Sequence, residues 1–175
     1  MTTPLLYIHG LGSDRTSSKF QAICTHFDKE YTMHCLEWTT ESNIKELLND
    51  AFNTYENDTK LILFGDSTGA NFAYQLREQR AEKGLETTLI LTSPLLDLSK
   101  RIAAFDFPKI LEPYIIKINA PNHALLICPL NDEIIDHSWL NNLGNTSLVI
   151  KQVHDSHRLP EFKNYLPLIR NYLNK

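Results

Sequence analysis

The chain has 175 residues, a net charge of −4, 42% hydrophobic residues and 22% charged residues. That is the length of one ordinary domain, and the composition excludes a mainly disordered chain. Seventeen Lys and Arg against 21 Asp and Glu leave no basic surplus to hold a phosphate backbone, so nucleic acid is not an expected partner.

Taken in chain order, short apolar runs alternate with helical patterns. The first run is Pro4 to His9 (PLLYIH). It is too short for a secretory signal and has no charged segment before it. Ser17 to Phe27 follows, with Phe20, Ile23, Cys24 and Phe27 at helical spacing. A second strand pattern covers Tyr31 to Leu36. A second helix covers Asn43 to Tyr55, with Ser42 or Asn43 as N-cap. The third strand is Lys60 to Phe64, and its helix runs from Gly69 to Lys83 with Gly84 as a C-terminal stop. The fourth strand is Thr87 to Thr92, and the fifth is His123 to Cys128. A short helix is expected over Asp136 to Leu143. The sixth strand is Ser147 to Val153, and a last helix runs from Pro160 to Leu173, with a kink expected at Pro167.

Several strands are apolar without alternation, as strands covered on both faces are. The order predicts an α/β protein: a doubly wound, mostly parallel six-stranded sheet with helices on both faces. Residues 1–175 are expected to form one domain. Within it, residues 94–121 form a proline-rich insert or lid between the fourth and fifth strands. Three widely spaced cysteines, Cys24, Cys35 and Cys128, suggest reduced thiols and a cytoplasmic protein. No run approaches the roughly 20 apolar residues of a membrane helix, so no membrane insertion is expected. No metal-ligand spacing appears, and neither metal nor cofactor is expected. Oligomeric state is left open.

Four of the six glycines sit at the ends of two strands: Gly10 and Gly12 after the first, Gly65 and Gly69 around the end of the third. Gly65-Asp66-Ser67-Thr68-Gly69 is a G-x-S-x-G segment between a strand and a helix. That context lifts a serine hydroxyl clear of the sheet and sets a helix N-terminus beside a developing oxyanion. The alternative is a plain strand-to-helix turn with Ser67 as an N-cap.

A serine hydroxyl needs a base, and the base needs an orienting acid. Asp132 and Glu133 follow the fifth strand, and His154 and His157 follow the sixth. Parallel strands put all these loops at the same sheet edge as Ser67. His157 is preferred over His154 because the base must reach back over the serine from a loop. Asp132 is preferred over Glu133 and over Asp97, which follows the fourth strand. The backbone N–H groups of Leu11 and Thr68 are the expected oxyanion donors, and His9 is expected to hold its loop by hydrogen bonds. Phe105, Phe107, Ile110 and Tyr114 of the insert are expected to cover the serine and contact substrate.

The segments LLYIHGLGSDRTSSK, LFGDSTGANFAYQL, PLNDEIID and HDSHRL together resemble the α/β-hydrolase superfamily. The nearest likeness is to the small bacterial YqiA-type esterases. The resemblance implies a Ser67 nucleophile, an Asp132 acid and a His157 base. It implies hydrolysis of a small-molecule acyl ester or thioester without cofactor or metal. Thr68 after the serine and Arg158 after the histidine depart from the usual pattern. Two other readings are a non-catalytic binding protein on a hydrolase scaffold and a flavodoxin-like phosphate or flavin binder. Against the second, the serine loop follows the third strand and no Gly-Lys-Ser/Thr segment exists.

Overall fold

The computed structural model describes residues 2–144 and 147–174. Six strands form one sheet: β1 (Thr3–Ile8), β2 (Tyr31–Leu36), β3 (Lys60–Asp66), β4 (Glu86–Thr92), β5 (Ala124–Pro129) and β6 (Leu148–Val153). Their order is β2-β1-β3-β4-β5-β6, and every pairing is parallel. The sheet is therefore wholly parallel, where one described as mostly parallel was expected. Among the described residues four α-helices cover it: α1 (Ser18–Phe27), α2 (Ile44–Thr54), α3 (Thr68–Glu82) and α4 (Leu166–Leu173).

The alternation of side chains along each strand builds two cores. On one face Leu6, Ile8, Leu61, Leu63, Leu89 and Leu91 meet α2 and α3. On the other, Leu5, Tyr7, Ile62, Phe64, Ile90 and Leu125 meet α1 and α4. Both sets are almost fully buried, which explains why these strands read as unbroken apolar runs. Ser17 caps α1 by accepting the Phe20 N–H, and Asn43 rather than Ser42 caps α2 by accepting the Glu46 N–H. Gly84 ends α3 with φ +70°, a left-handed turn that glycine makes without a Cβ clash.

Two helical expectations need correction. The segment after β5 forms only a 3₁₀ turn over Ser138–Asn142, not a helix from Asp136. Its backbone is pulled instead into bonds with the insert, where Asp136 N–H donates to Lys100 O and Ile102 N–H to Ile134 O. The last helix begins as a 3₁₀ turn, Phe162–Tyr165, and becomes α-helical only at Leu166. Pro167 therefore sits in the first turn of α4, where its missing N–H costs no hydrogen bond, and no kink results.

The insert is fastened to the body of the fold. Asn71 donates to Leu95 O (3.1 Å) and Ile116 O (2.9 Å) and accepts from Ile116 N–H (3.1 Å). Gln75 donates to Tyr114 O at 2.8 Å. An isolated antiparallel bridge joins Arg101 to Ile135. Phe107, Leu111 and Ile118 turn inward and join the core.

Candidate active site

The carboxyl ends of β1 and β3 to β6 meet at one edge of the sheet, where the crossover between β1 and β3 opens a crevice. β3 ends at Asp66 and α3 starts at Thr68, so Ser67 alone makes the turn. It adopts φ +51°, ψ −116°, a conformation that costs a non-glycine residue on the order of 1–3 kcal/mol. The turn is held by Ser67 N–H donating to Thr92 O (2.9 Å) and by Ser67 O accepting from Ala70 and Leu95 N–H (both 3.1 Å).

Both flanking glycines are required by close approach. A Cβ at Gly69 would lie 2.2 Å from Ile8 O, and one at Gly65 would lie 2.5 Å from Ala70 Cα. Side chains there would drive α3 away from β1 and β3 and spoil the turn.

The Ser67 side chain makes no capping bond to α3. Its Oγ lies 2.9 Å from His157 Nε2. His157 Nδ1 lies 2.9 Å from each Asp132 carboxylate oxygen. Asp132 Oδ1 also accepts the N–H groups of Ile134 and Ile135, each at 2.8 Å. Burial pushes the Asp132 carboxyl up, but the His157 bond and charge and the two backbone donors outweigh it and hold it below its ordinary range. An ionised carboxylate only accepts, so His157 Nδ1 carries the proton and Nε2 is left to accept from Ser67.

The other expected candidates do not join this line of hydrogen bonds, although Glu133 lines the same cleft. His154 is exposed. Glu133 accepts the His157 backbone N–H at 3.1 Å and does not meet the ring. Asp97 accepts the Ser99 N–H and pairs with Lys117 at 3.3 Å. His9 is buried, its Nδ1 2.8 Å from Gly10 O and its Nε2 accepting the Trp38 N–H at 3.2 Å. That shapes the loop after β1. Leu11 and Thr68 line the same cleft as Ser67, and neither backbone N–H donates to a protein group among the described residues.

The cleft measures about 490 Å³, and Leu95, Phe105, Phe107 and Ile134 form its apolar wall. Ile110 and Tyr114, expected beside Phe105 and Phe107, do not line it. Leu111 is fully buried in the core, which turns its neighbour Ile110 outward to 55% exposure. The Tyr114 carbonyl is tied to Gln75 on α3. Among the described residues no three His, Cys, Asp or Glu side chains converge as a metal-ligand set, and no helix is long and apolar enough to cross a membrane.

No protein-family model matches the chain, and no curated protein sequence matches it. Solved structures do. A protein assigned to the hydrolases of the alpha/beta superfamily, from Xanthomonas campestris pv. campestris, superposes with a TM-score of 0.67 at 17% identity, over 99% of this chain and 97% of that one. Alpha/beta hydrolase domain-containing protein 10 from mouse gives 0.74 at 13% identity, over 99% and 90%. The chain has the α/β-hydrolase fold. A thioesterase with the same fold, RedJ from the prodiginine biosynthetic pathway in Streptomyces coelicolor, gives 0.69 at 13% identity, over 97% and 90%.

Two polar features of this cleft are not evident from the sequence. The first is an ion pair beneath the serine turn, in which Lys19 Nζ donates to Asp66 Oδ1 at 2.6 Å with both side chains nearly buried. The Ser-Ser-Lys stretch at the start of α1 was visible, but its partner lies 47 residues away. The second is His137, whose Nδ1 stands 3.6 Å from Asp132 Oδ2 and whose Nε2 lies 3.3 Å from Pro94 O.

Burial pushes the His137 imidazole below its ordinary value, against the pull of Asp132. An unfolded chain takes up that proton near pH 6.5, whereas the folded chain resists it to lower pH. The contribution of His137 to stability is thus complete above about pH 6.5 and lost as pH falls toward the folded value. Melting temperature is expected to drop between pH 7 and pH 5, and His137→Gln is expected to shallow that slope. Parallel slopes for the two proteins would show that His137 is not titrating between the two states.

Proposed function

We propose that this protein is a serine hydrolase that cleaves carboxylic esters or thioesters through an acyl-enzyme. The observation that carries the reading is the hydrogen-bonded line from Ser67 Oγ through His157 to Asp132 at the sheet edge. Ser67 attacks the acyl carbon while His157 Nε2 takes its proton. Asp132 keeps the imidazole in the required tautomer and stabilises its charge. The free N–H groups of Leu11 and Thr68 receive the oxyanion. The protonated His157 returns its proton to the departing alcohol or thiol, and water then repeats the sequence on the acyl-enzyme. The thioesterase among the structural neighbours favours a small acyl substrate.

Residues 1–175 act as one domain in this reading, and residues 94–121 supply a wall of the acyl site. The three cysteines are unpaired, which fits a reducing cytoplasm.

A fluorophosphonate reagent tests the proposal. One adduct is expected, on the peptide that contains Ser67. Labelling should vanish in His157→Ala and persist in His154→Ala. An unlabelled, folded wild type would favour the binding-protein reading instead.

The apolar wall gives a second expectation. Each methylene buried against it contributes about 0.8 kcal/mol, roughly fourfold in rate. Values of kcat/KM should rise from acetate toward a six-carbon acyl ester. Phe105 is 60% exposed, so Phe105→Ala can be made without opening the core. It should flatten the rise more than it slows acetate. A proportional loss on all esters would remove Phe105 from the acyl site.

A further inference from the structure

The proposed hydrolytic machinery leaves two cations in the cleft without a task. Arg101 and Arg158 line the same cleft as Ser67 and His157. Neither forms an ion pair with a carboxylate among the described residues. Lys19, the third cation of the cleft wall, is already neutralised by Asp66. Of the six arginines, Arg15, Arg77 and Arg170 pair with carboxylates and buried Arg80 donates to backbone carbonyls, which leaves Arg101 and Arg158, both on the cleft that holds Ser67, as the two without a carboxylate or a buried site among the described residues.

Arg101 is also held in place. Its guanidinium carbon stands 5.2 Å from the Phe105 ring centre and 5.5 Å from that of Phe107. Nη1 donates to Phe105 O at 3.2 Å. Its backbone is bridged to Ile135, with the Ile102–Ile134 and Lys100–Asp136 bonds on either side. A guanidinium fixed this way loses little freedom on binding, and its remaining N–H donors form a planar fork suited to a carboxylate or phosphate. Arg158 follows His157 directly and is exposed.

We propose that the cleft selects an ester or thioester bearing a negative charge, and that Arg101 and Arg158 receive that charge. The inference rests on the hydrolase reading of Ser67. The charge can lie on the acyl chain or on the leaving group, and both sources present the same anion to the two arginines.

Two matched pairs of esters separate the sources. Mono-(4-nitrophenyl) adipate against 4-nitrophenyl hexanoate puts a carboxylate on the acyl end. 4-Carboxyphenyl hexanoate against phenyl hexanoate puts it on the leaving group. Wild type is expected to favour the charged member of one pair. The charged-to-neutral ratio of kcat/KM should fall about tenfold in Arg101→Gln and in Arg158→Gln. Lys109→Gln removes a positive charge from the same insert but outside the cleft, and it should leave the ratio unchanged. Equal use of charged and neutral esters by wild type overturns the proposal. So does an equal fall of the ratio in Lys109→Gln, which would assign the preference to the general field.

If no ester is turned over, the hydrolase reading fails by itself, and calorimetric titration with adipate and with hexyl phosphate still decides the anion site. Binding that weakens in both arginine variants upholds it. No binding, or binding indifferent to both substitutions, overturns it.

Discussion

Ser67→Ala is expected to reduce ester turnover by at least about a thousandfold, the scale of loss when a hydrolytic nucleophile is removed. The fold should survive, because Ser67 is anchored by its backbone bonds to Thr92, Ala70 and Leu95 and not by a cap on α3. The lost side-chain bond to His157 costs about 1 kcal/mol. His157→Ala should be comparably inactive, and the double variant no worse than either single one, because groups that act as one unit are not additive. The measurement is kcat/KM on a short ester, with melting temperature recorded for each variant. Turnover by folded Ser67→Ala at the wild-type rate would remove Ser67 from the chemistry.

The second large effect is on stability. Lys19→Met should destabilise the protein by about 3–5 kcal/mol, the usual consequence of stripping one partner from a buried ion pair. Asp66 would keep only the Thr92 hydroxyl, which donates to the same Oδ1 at 2.6 Å. For a chain of this size, about 3 kcal/mol corresponds to roughly ten degrees in melting temperature. Adding Asp66→Asn to Lys19→Met should recover part of the loss, since the stranded charge is then gone. A shift of less than about two degrees in the single variant would show that the pair contributes little. Asp66 precedes Ser67, so activity should decline with the loss of order in this turn before global unfolding is reached.

Much of this architecture was legible because its determinants are local. Leu61 to Phe64 had to be a covered strand, and the G-x-S-x-G segment after it needed a tight turn into a helix. The order of Ser67, Asp132 and His157 placed them at one edge because parallel strands all end there. What stayed hidden depends on contacts between distant segments. Lys19 and Asp66 are each ordinary polar residues until α1 packs against the end of β3. His137 read as the start of a helix, and only the folded loop turns it toward Asp132. Ile110 and Tyr114 carried the right chemistry for an acyl wall, but the inward anchors Phe107, Leu111 and Ile118 settle which way their neighbours face.

The stitching of the insert also bears on how substrate arrives. Asn71 and Gln75 grip it from α3, and the Arg101–Ile135 bridge ties it to the loop that carries Asp132. A wall fastened on both sides offers no separate opening step before catalysis. Initial rates should therefore rise smoothly through the concentration at which a long-chain ester forms micelles, with no jump at the interface. Added viscogen should slow turnover no more than it slows simple encounter.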